Sequence, residues 1–335
     1  FKQVYDYARS IGTCISAYGL RRQPIVVYMK KHPNAISAFY GVVYSGNFYV
    51  PIDEEMPQYR VELIFKTLNP QMMICDQDTK ELALSMNYQG QILVFDDIIH
   101  TQVNELVLQD IRDTSIDIDP LYIVFTSGST GVPKGVVANH RSVIDYIENL
   151  SQVLQVDENS VFGNQAPLYF DACLKELYPT LKFGATSYLI PKNLFMFPIK
   201  LVEFLNEHKI NTICWVASAL SLVAGFKTFN KVIPEYLRTV AFGSEVFPIK
   251  HYHEWKRVLP NARFINLYGP TEATGMSCFY EVKREFELDE VIPIGKPFKN
   301  TEILLIKDDQ TLAKNDEVGE ICIRGTAVTL GYYHN

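Results

Sequence analysis

Apolar residues recur at helical spacing from Val4 to Tyr18, give way to a β-branched run from Ile25 to Tyr28, and return to helical spacing from Asn34 to Ser45. Phe48 to Pro51 then has the pattern of a buried strand. The alternation continues with short apolar runs at Gln71 to Cys75, Gln91 to Phe95, Leu121 to Phe125, Ile210 to Trp215, Thr239 to Phe242 and Arg263 to Leu267, with helical patterns between most of them. Such an alternation predicts an α/β fold with largely parallel sheets covered on both faces. From Ser277 the texture changes. Ser277 to Lys283, Glu302 to Ile306 and Gly319 to Arg324 are strand-like and are separated by polar turns rather than helices. The pattern therefore predicts two packed α/β subdomains over about 1–276 and an antiparallel, barrel-like β module over about 277–335.

Composition narrows the function classes. The 335 residues are 47% apolar and 21% charged, which suits an ordinary globular core and not a disordered chain. The net charge is −7 and the cations are scattered, whereas a nucleic-acid surface needs them clustered. The apolar stretch from Ala35 to Val50 is interrupted by Tyr40, Ser45 and Asn47, so it is too short and too polar to span a bilayer. Phe1 opens directly into an amphipathic pattern with no leader ahead of it, as expected of a piece cut from a longer cytoplasmic polypeptide. Six cysteines stand singly, none at metal-ligand spacing from another, and read as buried free thiols in a reducing compartment.

The most informative stretch follows the run Leu121 to Phe125. Thr126, Ser127, Gly128, Ser129, Thr130 and Gly131 lead through Val132 and Pro133 to Lys134 and Gly135. Glycines let backbone N–H groups approach phosphates, hydroxyls add donors, and the lysine adds positive charge, so the stretch suits a triphosphate cradle. It is not a Walker A loop, because Pro133 precedes the lysine and Gly135 follows it. A plain surface loop between a strand and a helix is the alternative.

These residues resemble the phosphate-binding signature of the adenylate-forming superfamily, which includes nonribosomal peptide synthetase adenylation domains, acyl-CoA synthetases and luciferases. Further segments match in order. Tyr49 to Asp53 is similar to the adenylation domains' early core motif, and Gly243, Ser244 and Glu245 resemble the adenine-side loop. Asn266 to Glu272 (Asn-Leu-Tyr-Gly-Pro-Thr-Glu) resembles the nucleotide-binding motif, and Gly319 to Gly325 with Gly331 to Tyr333 resembles the start of the next one. The resemblance covers nearly the whole chain. It implies ATP-dependent activation of an amino acid as aminoacyl-AMP, with Mg²⁺, followed by transfer to phosphopantetheine on a peptidyl carrier protein. It also implies a small mobile domain beyond Asn335, carrying a lysine without which residues 1–335 would bind ligands and react poorly.

Roles for single residues follow from the same resemblance. Lys134, Thr271 and Glu272 are the expected catalytic set, with Glu272 the Mg²⁺ ligand, since Mg²⁺ commonly keeps one or two protein carboxylates beside phosphate oxygens. Asn266, Tyr268 and Gly269 would complete the ATP site, the Tyr268 ring lying on adenine. Structural alternatives are a helix-dipole carboxylate for Glu272 and a helix cap for Thr271. Phe170 and Asp171 resemble the aromatic–aspartate pair of amino-acid-activating members, whose carboxylate receives the α-ammonium. An aspartate among apolar residues is costly without such a partner, although Asp171 capping the helix that follows would also account for it. The side-chain pocket carries over to Ala172, Lys175, Cys214, Val240, Phe242, Leu267, Gly275 and Met276. Lys175 in this wall must meet an anion, lose its proton, or turn its head to water. The first choice points to a substrate with a side-chain carboxylate, the last to a medium apolar or aromatic one. An acyl- or aryl-CoA ligase of the same superfamily, or a nucleotide-binding module without activity, are the competing readings.

Overall fold

The computed structural model describes residues 1–86, 88–127 and 131–334, and the chain divides into two compact units. The first comprises Phe1–Val143, Pro167–Asp171 and Thr329–Asn335; the second comprises Ile144–Ala166 and Ala172–Val328.

The first unit is built on six strands: β1 (Pro24–Tyr28), β2 (Phe48–Ile52), β3 (Met72–Cys75), β4 (Gln91–Val94), β5 (Pro120–Thr126) and β6 (Lys134–Asn139). Their order across the sheet is β4-β3-β1-β2-β5-β6. All pairs are parallel except β5 with β6, which run antiparallel. Helices Lys2–Ser16, Pro33–Tyr44 and Gln58–Leu68 supply the crossovers and cover that parallel pairs require. Val26, Val50, Met73 and Ile123 are 0% exposed and centre one core.

The second unit holds β7 (Val161–Asn164), β8 (Thr186–Leu189), β9 (Thr212–Val216), β10 (Thr239–Gly243), β11 (Arg263–Tyr268), β12 (Cys278–Glu281) and β13 (Lys296–Pro297), in the order β13-β12-β11-β10-β9-β7-β8. Strands β8, β7, β9, β10 and β11 are mutually parallel, and β12 and β13 add antiparallel at one edge. Beyond them β14 (Thr301–Ile306) and β15 (Glu320–Gly325) pair antiparallel as a two-stranded sheet. The antiparallel texture after Ser277 is thus present, but it divides. Its first strand, β12, extends the large sheet by pairing Tyr268 with Cys278, so the separate piece among the described residues is a two-stranded sheet rather than a barrel. No helix of the described residues is long and apolar enough to cross a membrane.

Candidate functional site

Each unit carries one loop rich in the expected chemistry. In the first, β5 and β6 form a hairpin in which Phe125 pairs with Gly135 and Thr126 with Lys134. The glycine- and hydroxyl-rich stretch therefore lies between two antiparallel strands rather than between a strand and a helix. Thr126 is half-buried at one stem, Ser127 and Gly131 are exposed, and Lys134 opens the other stem half-buried; Gly128, Ser129 and Thr130 lie outside the described residues. The Lys134 ammonium sits 4.8 Å from the centroid of the Tyr332 ring. Phe170 is 43% exposed and packs on Tyr169, and Asp171 beside it opens a single 3-10 turn. The capping position of the next helix, Leu174–Phe183, is Cys173, with no side-chain cap.

In the second unit the chain reverses between β11 and β12. Ser277 donates its backbone N–H to the Tyr268 carbonyl at 2.7 Å, closing a loop whose tip is the 3-10 turn Thr271–Ala273. Pro270, not Thr271, holds the capping position of this turn, and no side chain caps it. Gly269 is required here, because a Cβ on it would lie 2.4 Å from the Gly275 carbonyl oxygen and 2.6 Å from the Met276 Cα. Thr274, a β-branched residue, is held at φ 55°, a costly conformation, and its hydroxyl donates to the Ala327 carbonyl at 2.6 Å. Tyr268, Thr271 and Glu272 are half-buried on this braced loop, while Gly275 and Met276 are buried in it. No pattern along the chain signals the bracing by Thr274.

Two residues of the expected ATP site are tied into the scaffold. The Asn266 amide donates to the Ile292 and Pro293 carbonyls at 3.3 and 2.9 Å. The Glu245 carboxylate accepts the Ser218 backbone N–H at 2.8 Å, at the start of helix Ala217–Gly225. Ser244, just before Glu245, adopts φ 68°, and Gly243 admits no side chain, since a Cβ would stand 2.3 Å from the Leu267 carbonyl oxygen.

Residues 1–333 match the family described as AMP-binding enzyme. The chain belongs to that family. Among curated relatives it is similar to a D-alanine–D-alanyl carrier protein ligase of Bacillus cytotoxicus, 29% identical over 99% of this chain and 66% of the relative. It is also similar to tyrocidine synthase 1 of Brevibacillus parabrevis, 26% identical over 100% of this chain and 30% of the relative. The chain thus spans less than two thirds of the length of these curated relatives. Among solved structures the nonribosomal peptide synthetase FmoA3, in an AMPPNP-bound form, superposes with a TM-score of 0.89 at 23% identity, covering 99% of this chain and 35% of that one. VinN superposes at 0.83 with 20% identity, covering 99% and 83%. At these identities the likeness is one of fold.

Within this AMP-binding chain the strand register sorts the expected pocket residues by face. In a parallel sheet, residues directly opposite one another share a face, and successive residues alternate. Cys214 lies opposite Ala241, and Gly243 opposite Leu267, so these four share one face. Val240 lies opposite Ile213 and Phe264, and Phe242 opposite Trp215 and Asn266, so they share the other. Val240 and Phe242 are buried there in an apolar core with Trp215, Phe247 and Trp255, the Phe242 and Phe247 rings 4.8 Å apart. The expected set therefore mixes two faces, and Ala241 and Gly243 are the β10 residues that accompany Cys214 and Leu267.

Lys175 and Glu176 fall on the Cys214 side. Burial pushes the Cys214 thiol up, the Glu176 carboxylate adds to that, and the Lys175 ammonium opposes it. Glu176 is fully buried and accepts from the Asn164 amide at 3.1 Å. Lys175 is 1% exposed, so its head does not turn to bulk water in this structure. Ala172, three residues earlier, is half-buried.

Proposed function

We propose that this AMP-binding chain activates an amino acid with ATP. An oxygen of the amino acid's carboxylate bonds to the α-phosphorus, the bond to the leaving pyrophosphate breaks, and aminoacyl-AMP remains for transfer to a phosphopantetheine thiol on a carrier protein. The observation that carries the reading is the match over residues 1–333, which takes in both candidate loops. Relatives named as D-alanyl and L-prolyl carrier protein ligases support the substrate class and the partner, and a form of FmoA3 holds α-methyl-L-serine-AMP.

The residues have the chemistry that the step needs, which is mainly positioning and charge neutralisation. Lys134, at the mouth of the hairpin turn, would balance charge on the phosphates, with Thr126, Ser127 and Gly131 as nearby donors. Tyr268 would face the base, Thr271 the α-phosphate, and Asp171 would receive the α-ammonium as a charge-assisted partner. Among the described residues no three His, Cys, Asp or Glu side chains gather as a metal cage. The single carboxylate of Glu272 on this loop suits Mg²⁺, which would neutralise phosphate charge when held chiefly by phosphate oxygens. We assign residues 1–335 to the large N-terminal part of an adenylation domain, and its six free thiols suit the cytoplasm.

Amino-acid-dependent exchange of labelled pyrophosphate into ATP, measured with the intact protein, tests the reading. Exchange that needs both the amino and the carboxyl group of the acid is the expected result. Equal exchange with acids that lack an amino group would identify an acyl- or aryl-CoA ligase instead, and no ATP binding at all would leave a module without activity.

A further inference from the structure

We infer that Tyr332 is a positioning residue for the Lys134 ammonium, held in place by a short strand that the chain adds to the edge of the first unit's sheet. The inference rests on the proposed role of Lys134 toward ATP phosphates. Residues 330–333 run antiparallel along β6. Val137 donates its N–H to the Gly331 carbonyl, Leu330 to the Val137 carbonyl, and Tyr333 to the Gly135 carbonyl, at 2.9, 2.9 and 2.8 Å. Tyr332 thereby stands opposite Val136. Lys134, two residues before Val136 on β6, lies diagonally across from Tyr332 on the same face, a separation that long and aromatic side chains span. The neighbouring Tyr333 faces the other way and packs edge-on to Phe48 in the core. Alternation along this added strand therefore commits Tyr332 to the lysine's side.

The ring lies 4.8 Å from the ammonium, within cation–π range, and among the described residues it is the one group that Lys134 engages. A lysine otherwise loses considerable rotamer freedom when it docks on a ligand. A ring that holds the ammonium from one side lowers that loss and leaves its other N–H donors free for an anion, which is preorganisation. Tyr332 is in this sense a support for a charged group and not itself a phosphate ligand.

Calorimetric titration of the protein with MgATP tests this, using Tyr332→Leu and Tyr332→Phe with and without Lys134→Ala. Tyr332→Leu is expected to weaken MgATP about fivefold, while Tyr332→Phe, which keeps the π face, stays within about twofold of wild type. In the Lys134→Ala background, Tyr332→Leu is expected to have no further effect. Unchanged or tighter binding in Tyr332→Leu would overturn the inference, as would an equal loss in both backgrounds, which would show that the ring acts through the fold or on the nucleotide directly. Wild type that binds no MgATP would overturn the proposed function and this inference together, whereas binding indifferent to Tyr332 removes the inference alone.

Discussion

Phe242 and Ala241 are adjacent on β10, and the register predicts opposite consequences for changing them. Phe242 is 1% exposed on the face that holds Trp215 and Phe247, so truncation to alanine removes a fully buried ring from a packed core. Such truncations cost about 3–5 kcal/mol. For a folding unit of about 150–250 residues that corresponds to a fall in Tm of roughly 6–20 °C. Phe242→Leu keeps most of the volume and should cost about 1–1.5 kcal/mol, leaving a folded protein to assay. Its ranking of amino acids in pyrophosphate exchange should match wild type, because the lost atoms face away from Cys214 and Leu267. Ala241→Val adds bulk on the face shared with Cys214 and should change which amino acids support exchange. Thermal melts combined with an exchange panel read both effects. A redirected amino-acid preference in Phe242→Leu at near-normal Tm, with Ala241→Val unaltered, would refute the face assignment.

Other substitutions separate the proposed roles. Lys134→Ala and Glu272→Gln should each weaken MgATP binding by about 1.5–3 kcal/mol, roughly 10- to 100-fold, with little change in Tm; unchanged exchange in both would sink the assignment. Asp171→Ala should lose amino acids and keep ATP, whereas equal loss of both with a large fall in Tm would indicate a structural role. Lys175→Met should abolish exchange with glutamate if a substrate carboxylate meets the ammonium; preference for leucine or phenylalanine in wild type, unaffected by the change, would remove that pairing.

The parallel cores were legible because their strands are apolar on both faces. The runs at β1, β2, β3 and β9 to β11 stand out as short, predominantly apolar segments, buried in nearly every position. Strands β6, β7 and β8 escaped the pattern for specific reasons. β6 begins on Lys134 and Gly135, β7 ends on Gly163 and Asn164, and β8 is an edge strand with no fully buried residue. The same double burial that exposed the strands hid their faces. Val240, Ala241 and Phe242 are 0, 0 and 1% exposed, so no polar alternation separates the two sides, and only pairing with β9 and β11 shows which residues share a face. Lys175 was legible as an anomaly, but its burial was not, because a lysine stem can cover apolar surface with its head in either place.

The two candidate loops share one construction in separate folding units. In each, a strand buried in a parallel sheet ends and the chain turns back antiparallel, from β5 to β6 and from β11 to β12. Pairs at the stems, Thr126 with Lys134 and Tyr268 with Cys278, fix where each loop begins and ends. Parallel neighbours enter through long crossovers, but a reversal leaves its turn at the carboxyl end of the inner strand, where open α/β sheets place their ligands. A lysine or glutamate that must meet a polyphosphate needs to be near solvent yet fixed to within a fraction of an ångström. A hairpin stem supplies both conditions, since backbone pairing fixes Lys134 at the rim, while the tight closure at Gly269 and the Thr274 hydroxyl brace the turn that presents Glu272.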